Sequence, residues 1–485
     1  MSWKDEYQRK LVSAEEAVKM VKSGDLVAMT MGQQPKKLCE ALVARFGELE
    51  NVEILQADPL VDFGWFQPDF QKAFRVNVEN AYRGFVRDAI HEKRADFTPN
   101  LYSFRFKPID EDRPEKRDIN AFMTVVSPPD DHGFCSFGHS VWNKPGYARR
   151  AKKVLVEVDE NQIRTFGGNF IQVSEIDYFV EHTPPIMSNE EVDKLLASMT
   201  PEPRAALEIV VPAIPLQQRA EILPRLAPLK TSQIRDIART LGVGEPDEAT
   251  KRMAELVSSL IRDGDTIQIG YSMVTVWFPR LGVFNNKHDL GWHSEIMPIG
   301  IPQLVEAGLF TGARKTLHRG KAVSTRVTVA FEEQRICHLN PRFELYDVEY
   351  INDVRTISAI DNMVAMNGAI SVDLTGQINV EMMPGNYPWN GTGGQPEFVI
   401  GSLLSKGGRS IHILRSTAGT ASRIVPTLPE GTPVAIPRSF ADCIVTEYGI
   451  ARLMGKSLRQ RAQELIAIAH PDHRAELTRR ARELF

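Results

Sequence analysis

The chain has 485 residues, of which 42% are apolar and 25% are charged, the usual balance of a globular protein. Its formal net charge is −4, from 58 Lys and Arg against 62 Asp and Glu, so no nucleic-acid partner is expected. No apolar run approaches the roughly 18 residues of a membrane helix, and the charged start MSWKDEYQRK lacks the apolar stretch of a signal peptide. These features predict a cytoplasmic protein without a membrane partner.

A pattern of helix, Gly-Asp turn and short apolar run occurs twice along the chain. It spans residues 14–29 and returns in the same order over residues 253–269. Further β-branched apolar runs, typical of buried parallel strands, occupy residues 52–55, 121–126, 153–158, 411–414 and 433–436. The sequence therefore predicts an α/β fold: two tandem open α/β domains of similar plan with mostly parallel sheets.

A change of composition separates the two repeats. Prolines interrupt the helical stretches between them, as on either side of residues 231–241. We therefore predict an N-terminal α/β domain over residues 1–190, a helical connector over 191–250 and a C-terminal α/β domain over 251–485.

Several common signatures are missing. The sequence has no P-loop, no GxGxxG fingerprint, no GxSxG elbow and no HExxH, which disfavours nucleotidases, nicotinamide dehydrogenases, α/β-hydrolases and zinc proteases. The four cysteines form no CxxC pair, so we expect reduced, mostly buried thiols. Asp130-Asp131-His132 precedes Gly133 in a proline-led loop, and a turn is the preferred interpretation over a metal site. No metal is predicted.

Two later segments carry residues suited to chemistry. Glu295 ends a predicted short strand, where a carboxylate among apolar residues is costly unless it is partnered or functional. Residues 390–398 contain three glycines in four positions, and Lys406 follows one helix length later. Such a loop, helix and lysine can hold a phosphorylated cofactor and an oxyanion. A capping or ion-paired Glu and a flexible surface loop are the alternatives.

Taken in order, the motifs resemble the acetyl-CoA hydrolase/transferase family, the class I CoA-transferases that include 4-hydroxybutyrate CoA-transferase. The resemblance spans nearly the whole chain. It rests on SAEEA at 13–17, SPPDDHGF at 127–134, LGWHSE at 290–295, Asn367 with VDLTGQ at 372–377, GTGGQ at 391–395, SKGG at 405–408, VTEYGIA at 445–451 and His470-Pro471.

This resemblance implies that the active site lies between the two α/β domains and that a covalent glutamyl-CoA intermediate forms. Position by position, it makes Glu295 the nucleophile and assigns oxyanion stabilisation to the Asn367 side chain and the Gly394 backbone N–H. The positions that it implies for CoA contact are Gln268, Ile269, Gly270, Tyr271, Ser272, Asn390, Gly393 and Lys406.

The function expected from the resemblance is transfer of CoA between an acyl-CoA and a small carboxylic acid, with ping-pong kinetics. Coenzyme A or acyl-CoA is then a substrate, no cofactor is tightly bound, and a homodimer or higher homo-oligomer is expected. An acyl-CoA hydrolase that uses the same glutamate and a non-catalytic CoA-binding protein are the alternatives.

Two further expectations concern the neighbourhood of Glu295. Because this carboxylate must be ionised to attack, we expect that burial does not raise its pKa far. Trp292 occupies a position where a smaller aliphatic residue is common in the family, which raises the hypothesis of an acyl pocket for a larger or aromatic acid. Core packing of Trp292 is the alternative.

Overall fold

The computed structural model describes residues 2–80, 84–327, 330–383 and 388–485, except for the side chain of Gln217. The chain forms two compact units. The first consists of Met1–Pro184, Cys337–Ile351 and Asn386–Gly393, and the second of Pro185–Ile336, Asn352–Gly385 and Gly394–Phe485.

The helices and strands are numbered in chain order. The helices are α1 (Trp3–Lys10), α2 (Ala14–Val18), α3 (Lys36–Ala44), α4 (Gly84–His91), α5 (Lys107–Asp110), α6 (Lys144–Arg150), α7 (Asn189–Ala197), α8 (Pro201–Val210), α9 (Leu216–Leu226), α10 (Thr231–Thr240), α11 (Glu248–Ser258), α12 (Ile301–Glu306), α13 (Phe331–Cys337), α14 (Val348–Ile351), α15 (Val354–Ser358), α16 (Gln395–Leu404), α17 (Leu458–Ala467) and α18 (Pro471–Leu484). The strands are β1 (Leu26–Met29), β2 (Val52–Gln56), β3 (Phe74–Val78), β4 (Ala95–Phe97), β5 (Ala121–Val126), β6 (Phe134–Cys135), β7 (Val154–Val158), β8 (Phe166–Gly167), β9 (Ile171–Gln172), β10 (Tyr178–Glu181), β11 (Thr266–Ile269), β12 (Gly291–Ile296), β13 (Ala322–Arg326), β14 (Phe343–Leu345), β15 (Met363–Gly368), β16 (Ser371–Asp373), β17 (Ile378–Asn379), β18 (Arg409–Ile413), β19 (Thr417–Ala418), β20 (Ala421–Ser422), β21 (Ile424–Val425), β22 (Cys443–Thr446) and β23 (Gly449–Arg452).

The sheet of the first unit has the strand order β10-β7-β5-β1-β2-β3-β4, and its neighbouring strands run parallel. Strands β1, β5 and β7 are buried along their whole length. Such burial is expected where apolar clusters cover both faces of a parallel sheet.

The sheet of the second unit repeats this plan with the order β23-β22-β18-β15-β11-β12-β13. Its neighbours are parallel except β23, which pairs antiparallel with β22. The strands β1 and β11, which follow the two Gly-Asp turns of the sequence, hold equivalent places in their sheets. The prediction of two α/β domains of similar plan with mostly parallel sheets is confirmed.

The structural units do not follow the linear division of the chain. Helices α7 to α10, in the region predicted as a connector, bury apolar side chains in one cluster with Ile299 and Ala330 of the second unit. Residues 337–351 belong to the first unit, where β14 pairs with β8. The run at 433–436 was expected to be a strand, but only Ile436 forms an isolated bridge there.

In the described part of the chain, no helix is both long and apolar enough to cross a membrane. The described side chains also include no group of three or more His, Cys, Asp or Glu placed to hold a metal ion. The four cysteines are buried, and burial raises the pKa of the Cys135 and Cys443 thiols to about 12. Such pKa values disfavour a thiolate nucleophile at neutral pH.

Candidate active site

The candidate site is centred on Glu295, the fifth residue of the six-residue strand β12. Because β12 is extended, its side chains alternate between the two faces of the sheet. Glu295 therefore shares a face with His293, and Trp292 points to the opposite face. The position near the carboxyl end of a parallel strand is the edge at which α/β sheets hold ligands and catalytic groups.

Two donors from other segments converge on the Glu295 carboxylate. The Asn352 side chain, directly before the cap of α15, donates from Nδ2 to Glu295 Oε1 at 2.6 Å. The backbone N–H of Gly394 also donates to this carboxylate. Gly394 is the N-cap of α16, so the positive end of that helix faces the carboxylate as well.

Residue 394 must be glycine because there is no space for a side chain between it and its neighbours. A Cβ atom on this residue would lie 2.0 Å from both Glu295 Oε1 and Asn352 Nδ2. Its φ of −84° is open to any residue, so the constraint is steric and not one of backbone conformation. The close approach lets the backbone itself donate to the carboxylate.

A second carboxylate completes the cluster. Asn352 Nδ2 also donates to Glu397 Oε2 at 2.8 Å, so one amide nitrogen bridges two acids. Glu397 lies in the first turn of α16 and is only 1% exposed, and Asn352 is fully buried. Neither residue was predicted from the sequence to have a role at the site. The one available signal is that Glu397 directly precedes the apolar run of residues 398–404; Asn352 lies among other polar residues and carries no such signal.

Burial raises the pKa of Glu295 to about 8, and the charge of Glu397 adds to the increase. The hydrogen bonds from Asn352 and Gly394 oppose it, because they favour the ionised form. The expectation that burial would leave this pKa nearly unchanged is wrong. The carboxylate group is enclosed by protein atoms although the residue as a whole keeps some accessible surface.

Asn367 lies in the same sheet, two strands away from Glu295. Strand β11 pairs with both β12 and β15, and continuing the two registers places Asn367, Gly270 and Glu295 in one row across three strands. The backbones of the outer two are thus about 10 Å apart. Gly270, in the middle, contributes no side chain, and a Cβ there would lie 2.2 Å from Asn367 Oδ1.

The Asn367 amide is engaged with another amide. Gln268 Nε2 donates to Asn367 Oδ1 at 3.1 Å, and Asn367 Nδ2 donates to Gln268 Oε1 at 3.2 Å. Both residues are at most 3% exposed. Of the two predicted oxyanion donors, the structure therefore brings Gly394 to Glu295, whereas the side-chain amide that meets this carboxylate is that of Asn352.

The predicted CoA-contacting positions lie in different environments. Ile269 is buried in β11 together with Gln268. Tyr271 is 50% exposed and its hydroxyl donates to Thr240 O, and Ser272 Oγ accepts from the N–H of Thr275. Asn390 and Gly393 lie in the glycine-rich loop, and Oδ1 of Asn390 is a buried acceptor that has no hydrogen-bond partner among the described residues.

Lys406 is separated from the carboxylate cluster. It follows the C-terminal end of α16, and its carbonyl accepts from the N–H of Asn362, just before β15 begins. The ten-residue helix spans about 15 Å, so Lys406 lies at the opposite edge of the sheet from Gly394. Gly394 and Lys406 therefore lie at opposite ends of α16, and a CoA contact for Lys406 stays a prediction.

Trp292 is part of the core. It is fully buried on the face of β12 opposite Glu295, and its Nε1 donates to Ser324 Oγ at 2.9 Å. Its ring packs edge-on against Phe310. This packing favours the core interpretation over an acyl pocket lined by Trp292.

Comparison with known proteins gives one family for both halves of the chain. The family model described as the acetyl-CoA hydrolase/transferase N-terminal domain matches residues 1–188. The model described as the C-terminal domain of the same family matches residues 333–481.

Individual relatives agree along the full length. The chain is 34% identical to the 4-hydroxybutyrate coenzyme A transferase of Clostridium kluyveri, over 100% of both chains. It is 33% identical to the succinyl-CoA:cyclohexane-1-carboxylate CoA transferase of Geobacter metallireducens, over 100% of this chain and 97% of that protein. The crystal structure of RipA from Yersinia pestis matches with a TM-score of 0.81 at 28% identity, over 100% of this chain and 99% of that one.

Proposed function

The chain belongs to the acetyl-CoA hydrolase/transferase family and is an acyl-CoA:carboxylate CoA-transferase, and on this basis we propose that Glu295 carries CoA covalently during transfer. The observation that supports this role is the convergence of the Asn352 amide and the Gly394 N–H on a buried carboxylate. A buried carboxyl group whose pKa is raised to about 8, at the edge of the sheet where ligands bind, is typical of a functional site.

The chemistry needs a carboxylate that can stand in for each acid in turn. Glu295 attacks the acyl-CoA carbonyl, forms a mixed anhydride and releases the CoA thiolate. The thiolate then attacks the glutamyl carbonyl, which yields the glutamyl-CoA thioester and frees the first acid. A second carboxylate reverses both steps and leaves as its own CoA thioester, so the kinetics are ping-pong.

The donors around Glu295 suit the steps at its own carbonyl carbon. Attack there turns the glutamyl oxygen into an oxyanion. The Asn352 N–H already donates to Oε1, and the Gly394 N–H donates to the same carboxylate. Each such donor contributes roughly 3–4 kcal/mol to transition-state stabilisation. In our proposal Asn367, to which the family resemblance assigns this role, is a supporting residue two strands away, where its amide pairs with that of Gln268.

The substrates are CoA thioesters and carboxylic acids, and the identity of the acid is open to a direct test. The two relatives are named for a hydroxylated linear acid and for an alicyclic acid. We propose that the CoA contacts come from the loop after β11, from Asn390 and Gly393, and from Lys406. Oδ1 of Asn390 is buried and has no partner in the described part of the chain, which supports its inclusion, since a ligand donor can satisfy it.

The decisive experiment is to mix the protein with a panel of acyl-CoAs and measure denatured intact and peptide masses. The panel holds acetyl-, 4-hydroxybutyryl-, succinyl-, cyclohexanecarboxyl- and benzoyl-CoA. We expect a CoA adduct on the peptide that contains Glu295, because the glutamyl thioester accumulates when no acceptor acid is present. Glu295→Ala should lose both adduct and transfer while still binding CoA. Transfer near the wild-type rate in Glu295→Ala would refute the assignment.

A paired comparison separates the two candidate amides. Asn352→Ala should lower kcat by about 10²- to 10³-fold, as for the loss of one oxyanion donor. Asn367→Ala should cause a smaller loss, because its amide is engaged with Gln268. A larger loss in the Asn367 variant would restore the original assignment. Continued CoA release without any acceptor acid would instead identify a hydrolase.

A further inference from the structure

The bridging position of Asn352 assigns a role to the second carboxylate of the cluster. Asn352 Nδ2 donates to Glu295 at 2.6 Å and to Glu397 at 2.8 Å, and all three side chains belong to the second unit. We propose that Glu397 is a positioning residue that holds the Asn352 N–H on the carbonyl of Glu295 through the reaction. This inference rests on the proposed function of Glu295 and extends it.

The two ends of an amide side chain have similar size, so their orientation is set by hydrogen bonds. Asn352 Oδ1 is buried and has no hydrogen-bond partner among the described residues. The orientation is therefore fixed from the nitrogen side alone, by the two carboxylates. A flipped amide would place Oδ1 against both carboxyl groups and lose the two hydrogen bonds that Nδ2 donates to them.

Glu397 becomes more important once Glu295 has reacted. In the anhydride and in the glutamyl-CoA thioester, Glu295 carries no negative charge, so its pull on the Asn352 N–H is weakened. Glu397 is then the remaining carboxylate that distinguishes the nitrogen of this amide from its oxygen. Without Glu397, the amide can turn its oxygen toward the thioester carbonyl, where the oxyanion must form.

The charge of Glu397 also affects the protonation of Glu295. The groups that face Glu295 are the Asn352 amide, the Gly394 N–H and Glu397, with His293 on the same face of β12. The row continues across the sheet to His412, whose pKa is lowered to about 3 by burial, so it is uncharged at neutral pH. Removing the charge of Glu397 should therefore move the acid limb of the kcat/KM profile to lower pH.

The test is a double-mutant cycle on the full-length protein with Asn352→Ala, Glu397→Ala and the double variant. The quantity measured is the rate at which the Glu295 adduct decays in a single turnover after acceptor acid is added. If Glu397 acts through Asn352, Glu397→Ala should slow this decay by about 10²-fold, with little change in KM. The double variant should then be no slower than Asn352→Ala, because coupled residues are non-additive. Additive losses would overturn the proposal.

The isosteric variant Glu397→Gln guards against a folding artefact. It keeps an acceptor for Asn352 but removes the charge, so we expect a partial loss of rate together with an acid limb shifted to lower pH. A matched control is Glu157→Gln in the first unit, which also neutralises a buried carboxylate whose pKa burial raises. It should leave adduct decay and the pH profile unchanged. A Glu397→Gln variant as fast as wild type would exclude a positioning role.

The outcomes also distinguish this proposal from the proposed function. If wild-type protein forms no adduct on the Glu295 peptide, the covalent role fails and Glu397 has nothing to position. If the adduct forms and decays normally in both Glu397 variants, the covalent role stands and only the positioning role is wrong.

Discussion

Glu295 combines two properties that oppose each other. A nucleophilic carboxylate must be ionised, yet burial and the neighbouring Glu397 raise its pKa to about 8. The hydrogen bonds from Asn352 and Gly394 lower this pKa but offset only part of the increase that burial causes. The nucleophile is thus mostly protonated at neutral pH. The ionised form is in return more reactive, because a poorly solvated carboxylate has fewer bound water molecules to lose before it attacks.

The raised pKa of Glu295 predicts how kcat/KM depends on pH, since this quantity reports on the free enzyme. Because Glu295 reacts as the carboxylate, kcat/KM should rise about tenfold per pH unit below a pKa near 8 and level off above it. The measurement is kcat/KM for CoA transfer between pH 6 and 9.5, with an acyl-CoA that forms the adduct. A flat profile across this range would contradict the raised pKa.

The same pKa predicts an effect on stability of the opposite sign. The folded state binds the Glu295 proton more tightly than the unfolded state, whose pKa is near the ordinary 4.5. The stabilisation is therefore complete below about pH 4.5 and is lost as pH rises through about 8, at about 1.4 kcal/mol for each unit of pKa difference. Glu295→Gln cannot ionise, so its free energy of unfolding relative to wild type should increase from pH 6 to pH 9. Denaturant unfolding of both proteins at these two pH values measures the difference.

At the level of elements, the site depends on a strand and a helix that meet end to end. The alternation of β12 sends Glu295 to one face and Trp292 to the other, where Trp292 packs into the core. Helix α16 begins at this edge with Gly394 as its N-cap. The strand supplies the carboxylate and the helix supplies the backbone donor, so the geometry is held by regular structure and not by loops alone.

Adding a single methyl group at Gly394 tests whether this close approach is required. Gly394→Ala places a Cβ within 2.0 Å of both Glu295 and Asn352, so these two groups must move apart. We expect kcat/KM to fall by at least about 10²-fold, because a displacement near 1 Å at a reacting group costs this much. Gly47→Ala is the matched control, since a Cβ there has nothing within 4 Å. Equal activities in the two variants would show that the close approach is not required.

At the level of the whole molecule, each unit is an open sheet in which strands are added first on one side and then on the other. In the second unit the chain runs from β11 to β12 and β13 and then returns to β15 beside β11. Ligands of open α/β sheets bind at the carboxyl ends of the strands where this reversal occurs. Gly270 and Asn367 lie at that point, with Glu295 one strand further.

The helices of residues 189–240 give a prediction about the limits of a stable unit. They bury Leu207, Val210 and Ile234 in one cluster with Ile299 and Ala330, and each large side chain contributes about 2 kcal/mol. A fragment over 251–485 loses these partners, whereas one over 185–485 keeps them. We expect the longer fragment to melt higher and aggregate less in size-exclusion chromatography and thermal scans. Equal behaviour would mean that these helices are a dispensable connector.

The sequence by itself determined the plan of the fold, because local patterns encode it. The two repeats of helix, Gly-Asp turn and apolar run predicted β1 and β11, and the other apolar runs predicted strands correctly except at 433–436. There the residues lack strand neighbours and form one bridge only. The ordered motifs likewise pointed to the family and to Glu295, since each is a short continuous stretch.

Only the tertiary structure decided which residues surround Glu295. Asn352 and Glu397 are 57 and 102 residues away in the sequence, and no local pattern marks either as its neighbour. Strand register places Asn367 two strands away from Glu295, where it pairs with Gln268. Burial decides the pKa of Glu295, which depends on the protein atoms and charges that enclose its carboxyl group. Periodicity records which face of an element is apolar, but contacts between distant segments arise only when the sheets and helices pack together.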